Sequence, residues 1–157
     1  MPVNASGEMD RRDLEAYMAR PDLVGAPQLG NLVQYELGAV GGLPLTFTDA
    51  AVIPGSPDAE RCWTVYTAAA EASPDATRDG PVAGCAVGVI SEGPEGISAR
   101  WAVLEGEPGL PFAGKVEGVE LRPDDSTHLY VVVDRDEPEV ASELCEVALQ
   151  GPWFSEI

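Results

Sequence analysis

From Asn31 onward, apolar residues recur at every second position in short runs, and Pro, Gly and Asp separate the runs. The alternation predicts strands at 31–38, 46–53, 61–68, 83–90, 97–104, 116–122, 128–134 and 142–149. The separators, "PGSPDAE", "SPDATRDGP", "EGPEG", "EGEPGLPFAG" and "RPDDST", are turn-formers. Together they predict one all-β domain over 31–157, an antiparallel meander. Ahead of it, residues 1–30 read as a leader, disordered over 1–9, with a short helix from Asp10 to Arg20. Leu14, Tyr17 and Met18 share one side of that helix, and Pro21 ends it.

Several strands carry apolar residues on both faces. In "HLYVVVD" Leu129, Val131 and Val133 point one way, Tyr130 and Val132 the other. A strand of that kind lies between two packed layers. Propeller blades provide that setting, and so does a sandwich with a covered outer face. An internal repeat favours blades. Asp49 opens "TDAAVI" as Glu117 opens "VEGVEL"; "WTVYTA" then matches "LYVVVD", and "VAGCAVGVI" matches "VASELCEVAL". In the first unit a fourth strand follows, "ISARWAVL".

On these residues the chain resembles the bacterial propellers grouped as phytase-like, esterase-like and SdiA-regulated proteins, and their uncharacterised relatives. Lys115, Glu117, Gly118, Asp134, Ser142 and Leu144 follow the pattern of one blade, and Asp49, Glu71, Asp79 and Gly80 that of the blade before it. The likeness covers about residues 31–151 and implies four-stranded blades of a partial β-propeller. Cys85 departs from the pattern, standing where a hydroxyl or small residue is expected. Two units and a leftover strand do not close a ring of about 4–8 blades. A fragment of a longer chain is therefore one reading of the sequence.

Composition narrows the partners. The 157 residues carry 27 Asp+Glu against 9 Lys+Arg, a net charge of −18. Such a surface repels nucleic acid and anionic membrane. Hydrophobic residues make up 45%, enough for a real core. No run reaches the ~18 apolar residues of a membrane span. No apolar segment follows a basic one near the start, so no signal peptide is legible and a cytoplasmic location is the expectation. Cys62, Cys85 and Cys145, odd in number and each in an apolar run, read as buried reduced thiols.

Little of the usual catalytic chemistry fits. "GLPFAGK" (109–115) matches a phosphate loop in spacing, yet Val116 stands where Ser or Thr would hold Mg²⁺, and a strand follows instead of a helix. His128 is the only imidazole and sits in a turn, which argues against nucleophilic triads and zinc. The acids remain. Glu117 falls on the strand face of Val119 and Leu121, so a partly buried carboxylate is expected there, protonated, paired or bound to a cation. In a propeller the first strands line the channel, so Asp49 and Glu117 would converge, with Glu71, Asp134 and Asp136 near one end. Hard oxygen ligands suit Ca²⁺ or Mg²⁺. The alternative is that these carboxylates accept hydrogen bonds from backbone N–H groups of the adjacent blade.

The sequence thus points to a propeller-like, non-enzymatic binding or scaffold module. It is expected to self-associate or to take further blades through exposed faces, with Trp101 or Trp153 among them. The resemblance alone implies the alternative, a metal-assisted hydrolase of phosphate esters or lactones.

Overall fold

The structure, a computed structural model, describes residues 4–53, 62–74, 78, 80–94, 96–135 and 139–154. Most of them lie in antiparallel strands. The chain forms two compact units, Met1–Glu36 and Leu37–Ile157.

In the first unit, strand β1 (Asn4–Glu8) pairs with β2 (Gly30–Tyr35), and helix α1 (Arg11–Ala19) lies between them in sequence. The helix starts where its cap is. Asp10 has extended backbone, and its carboxylate accepts from the N–H groups of Arg12 and Asp13. The leader is therefore ordered over 4–8, where disorder is the sequence expectation. The strand read at 31–38 belongs with it, so the boundary falls after Glu36 and not after residue 30. No described side chain of this unit is fully buried.

The second unit holds two main sheets. One is a five-stranded meander of β3 (Ala39–Val40), β4 (Leu43–Val52), β5 (Cys62–Glu71), β6 (Val82–Gly93) and β7 (Gly96–Val103). A hairpin follows, β8 (Glu105–Glu107) with β9 (Leu110–Pro111). The second sheet is a three-stranded meander of β10 (Lys115–Leu121), β11 (His128–Asp134) and β12 (Glu143–Ala148). The sheets have five and three strands, against the four per blade that the resemblance implies.

Register shows which faces meet. Val65, Thr67 and Ala69 of β5 stand opposite Val89, Val87 and Cys85 of β6. This face packs on Val116, Val119, Leu129, Val131 and Val133 of the three-stranded sheet, forming the main core. The other face of the large sheet is buried differently. Tyr66, Ala68 and Ala70 stand opposite Gly88, Ala86 and Gly84, with Leu45 and Phe47 on the neighbouring strand. Small residues let the sheet curl on itself. Val40 of β3 reaches Gly84 of β6, and the Trp101 ring of β7 lies over Gly38, just before β3. At Gly38, φ is +77° and an added Cβ would stand 2.5 Å from Trp101 Cζ2, so only glycine fits. Tyr66 fills the curl, lying on Gly88 and meeting the Phe47 ring edge-on with centroids 5.0 Å apart. The same burial pushes its phenol up to about 12.

The two apolar faces are thus found on β5 and β6 and not on "HLYVVVD". In β11, Leu129, Val131 and Val133 are buried, but Val132 is 40% exposed. All three cysteines are free thiols, yet only Cys85 is buried; Cys145 is half-buried and Cys62 exposed.

Candidate binding groove

The first long strand of each main sheet is interrupted by a bulge, and the bulges decide where the candidate acids point. In β4 the register shifts between Phe47 and Asp49; in β10 it shifts between Val116 and Gly118. A bulge puts two residues opposite one and re-aims the side chain. Asp49 is thereby turned with Thr67 toward the three-stranded sheet, and its Oδ2 accepts from Val119 N at 2.9 Å. That is the backbone-acceptor role. Glu117 is the extra residue of its own bulge and leaves the face of Val119 and Leu121. Its side chain is 40% exposed, with Oε1 3.2 Å from Lys115 Nζ. The partly buried carboxylate expected at Glu117 is not there, because the alternation that predicted it assumes an unbroken strand.

The other acids are engaged separately. Glu71, at the end of β5, accepts from Ser73 Oγ and Gly80 N and ties the ends of the following loop together. Asp134 stands opposite Lys115 in the β10–β11 ladder. Asp136 lies outside the described residues, as does Asp79. A divalent-ion site needs several oxygens around one point. Among the described residues, no group of three or more His, Cys, Asp or Glu could hold a metal ion. "GLPFAGK" runs through the β8–β9 turn into strand β10, as its sequence suggests. His128 Nδ1 is 2.7 Å from Asp125 Oδ2 in the turn before β11.

Sequence reasoning missed a concave feature of the second unit. A groove of about 610 Å³ opens between the two sheets at one side of the second unit. One wall is residues 102–108, the end of β7 and the start of the following hairpin; the other is residues 145–150, from β12 onward. Val87, Val131, Phe112 and Trp153 close it off below. Each wall is an unbroken run of residues. A strand that presented its face would contribute every second residue, so the groove is walled by backbone edges. Both strands are edge strands: β7 pairs with β6 and β12 with β11, and neither has a second partner among the described residues.

Several ties hold the groove open. Phe112 N donates to Leu104 O at 2.7 Å and Cys85 N to Phe112 O at 3.1 Å, fixing the β8–β9 hairpin to the large sheet. Cys85 Sγ donates to Gly114 O at 3.1 Å, and burial pushes this thiol up. At the far end Arg100 Nη1 donates to Pro152 O at 2.6 Å and its guanidinium lies 5.9 Å from the Trp63 ring centre. Phe154 meets that ring edge-on, with centroids 6.1 Å apart. Glu105, Glu107 and Glu146 are the ionisable groups of the rim besides the Cys145 thiol. Glu105 caps its own turn through Gly109 N, and Glu146 pairs with Arg122 at 2.8 Å.

Comparison with known proteins gives a family and no activity. Residues 1–138 match the model described as "Family of unknown function (DUF6910)". The chain belongs to that family. No curated protein and no solved structure matches it. The matched residues end before β12, so they include one wall of the groove and not the other.

Proposed function

We propose that this DUF6910 chain is a non-enzymatic binding module whose ligand lies in the groove between its two sheets. The observation that carries the reading is a concave site with an apolar floor and a few acidic groups, of the size that binding pockets have. Of the acids that would serve a hydrolase, Asp49 accepts from a backbone N–H, Glu117 pairs with Lys115 and Glu71 ties a loop. The blade-like origin belongs to the same proposal: two successive antiparallel meanders, each with a bulge in its first long strand, support descent from a repeated unit. The acidic surface favours a cationic or neutral ligand over nucleic acid. Among the described residues no helix is long and apolar enough to cross a membrane.

The test uses a neutral, environment-sensitive dye such as Nile red. Its emission should rise on adding the protein, and Ala148→Arg, which places a long side chain at an exposed groove position, should remove most of the rise. In a Cys62→Ser background the dye should also slow alkylation of Cys145, the half-buried thiol in the groove wall. Dye binding that ignores Ala148→Arg and leaves Cys145 equally reactive would place the ligand elsewhere and sink the reading.

A further inference from the structure

We propose that the natural occupant of this groove is an extended segment of a partner protein, alternating apolar and basic residues, which adds as a fourth strand along the free edge of β12. The inference rests on the groove reading above and names its ligand. Its first support is that the β12 wall is a backbone edge, whose outer N–H and C=O groups have no ladder partner among the described residues and are open to an incoming strand.

The second support is that the β12 edge is undefended. Exposed edges are commonly blunted by proline, lysine or a bulge. The strand Glu143–Ala148 has none of these, and its register with β11 runs unbroken from Val133↔Glu143 to His128↔Ala148. Its two acids do not guard the edge either. Glu143 pairs with Arg135 at 2.6 Å and Glu146 with Arg122 at 2.8 Å, so both are drawn to arginines of their own unit.

The third support is charge. Of the acids lining the groove Glu146 is paired with Arg122, which leaves Glu105 and Glu107 as its net charge, and among the described residues no lysine or arginine lines it. A second copy of the chain would bring its own −18 to the interface. A basic segment brings the opposite sign. On a strand, alternate side chains face opposite ways. One set would enter the apolar floor at Phe112, Val131 and Trp153, while the other would meet the carboxylates.

The experiment uses the full chain in the Cys62→Ser background and a capped nonapeptide alternating valine and lysine. Binding is read by calorimetry and by protection of Cys145 from alkylation. Two further peptides carry N-methyl groups at the odd or at the even positions. Strand addition predicts saturable binding, loss of about fivefold or more for each hydrogen bond blocked in at least one methylated peptide, and about two- to fivefold weakening by Glu107→Lys. The same peptide with glutamate for lysine should fail to bind. If both methylated peptides bind as well as the parent, the segment does not add as a strand and the proposal falls, while the groove stands. If Nile red protects Cys145 but the peptide does not, the ligand class is wrong. If neither protects it, both readings fall together. Concentration-dependent dimerisation that itself protects Cys145 would make a second copy the occupant and overturn the proposal.

Discussion

Strand β5 and strand β11 look alike in sequence, and the structure treats them differently. "CWTVYTAAAE" is buried on both faces, one against the three-stranded sheet and one inside the curl of its own sheet. "HLYVVVD" is buried on one face; on the other Val132 is exposed and Tyr130 half-buried, with no second sheet over them among the described residues. Hydrophobicity does not separate the two; size does. Ala68, Ala70, Ala86, Gly84 and Gly88 leave room for the large sheet to fold over Tyr66, whereas β10 and β12 offer β11 no such run of small neighbours. A sheet closes on itself only where its inner face is small enough.

The sharpest way to break this comparison is an alternating substitution series in the two strands, read from denaturant midpoints. In β5 both faces should matter: Tyr66→Ala should cost about 3–5 kcal/mol and Val65→Ala about 2 kcal/mol. In β11 only one should: Leu129→Ala about 2–5 kcal/mol, Val132→Ala within about 0.5 kcal/mol. Gly88→Ala drives a methyl group into the Tyr66 ring and should cost about 1–3 kcal/mol. Tyr66→Phe removes a buried hydroxyl that has no hydrogen-bond partner among the described residues, so it should be neutral or stabilising. Tyr66→Ala and Val132→Ala with equal, small effects would mean that the curl contributes nothing.

A smaller effect separates the two bulges. Asp49→Ala leaves Val119 N without its acceptor and should cost about 1–3 kcal/mol. Glu117→Gln disturbs a half-exposed pair with Lys115 and should cost about 0–1 kcal/mol. Both losses should be the same in EDTA and in millimolar calcium at fixed ionic strength. A calcium-dependent rise in melting temperature that both variants lose would show that these carboxylates share a cation after all.

Most of the strands were legible because turn chemistry marks their ends: all eight predicted runs coincide with strands to within a few residues. The ones missed lack a signal of their own. "NASGE" has no large apolar or β-branched residue and is a strand only because Gly30–Tyr35 pairs with it; β3 and β9 are two residues each and β8 three. The misplacement of Glu117 had a visible warning in Gly118, since glycine inside a strand often marks a bulge. The role of Asp49 could be stated as a type, acceptor for a backbone N–H, but its partner, seventy residues away, could not. The groove was beyond reach. Its walls belong to strands far apart in sequence and are made of backbone edges, which no side-chain pattern records.

The smallest effect concerns how each sheet secures one of its hairpin loops. The large sheet uses Glu71 across the loop after β5; the small sheet uses Asp125 in the turn between β10 and β11. Asp125 accepts from the hydroxyl and the backbone N–H of Thr127, with His128 beside it, and these bonds hold its carboxyl at about 2, against a smaller desolvation of the carboxyl that works the other way. A carboxylate held below its ordinary value stabilises the fold above the unfolded value, about 3.9, and that contribution is lost as pH falls through the folded one. Asp125→Asn should therefore be less stable than wild type by a small margin at pH 5, where the wild-type carboxylate is fully ionised. The margin should close between about pH 4 and pH 2 as the wild-type carboxyl takes up its proton. The other carboxylates titrate in both proteins and cancel in the difference. Denaturant midpoints of the pair, measured across that range at one ionic strength, decide the matter. A margin that persists unchanged at pH 2 would show that shape and not charge holds the turn, and that the two sheets secure their hairpins by different means.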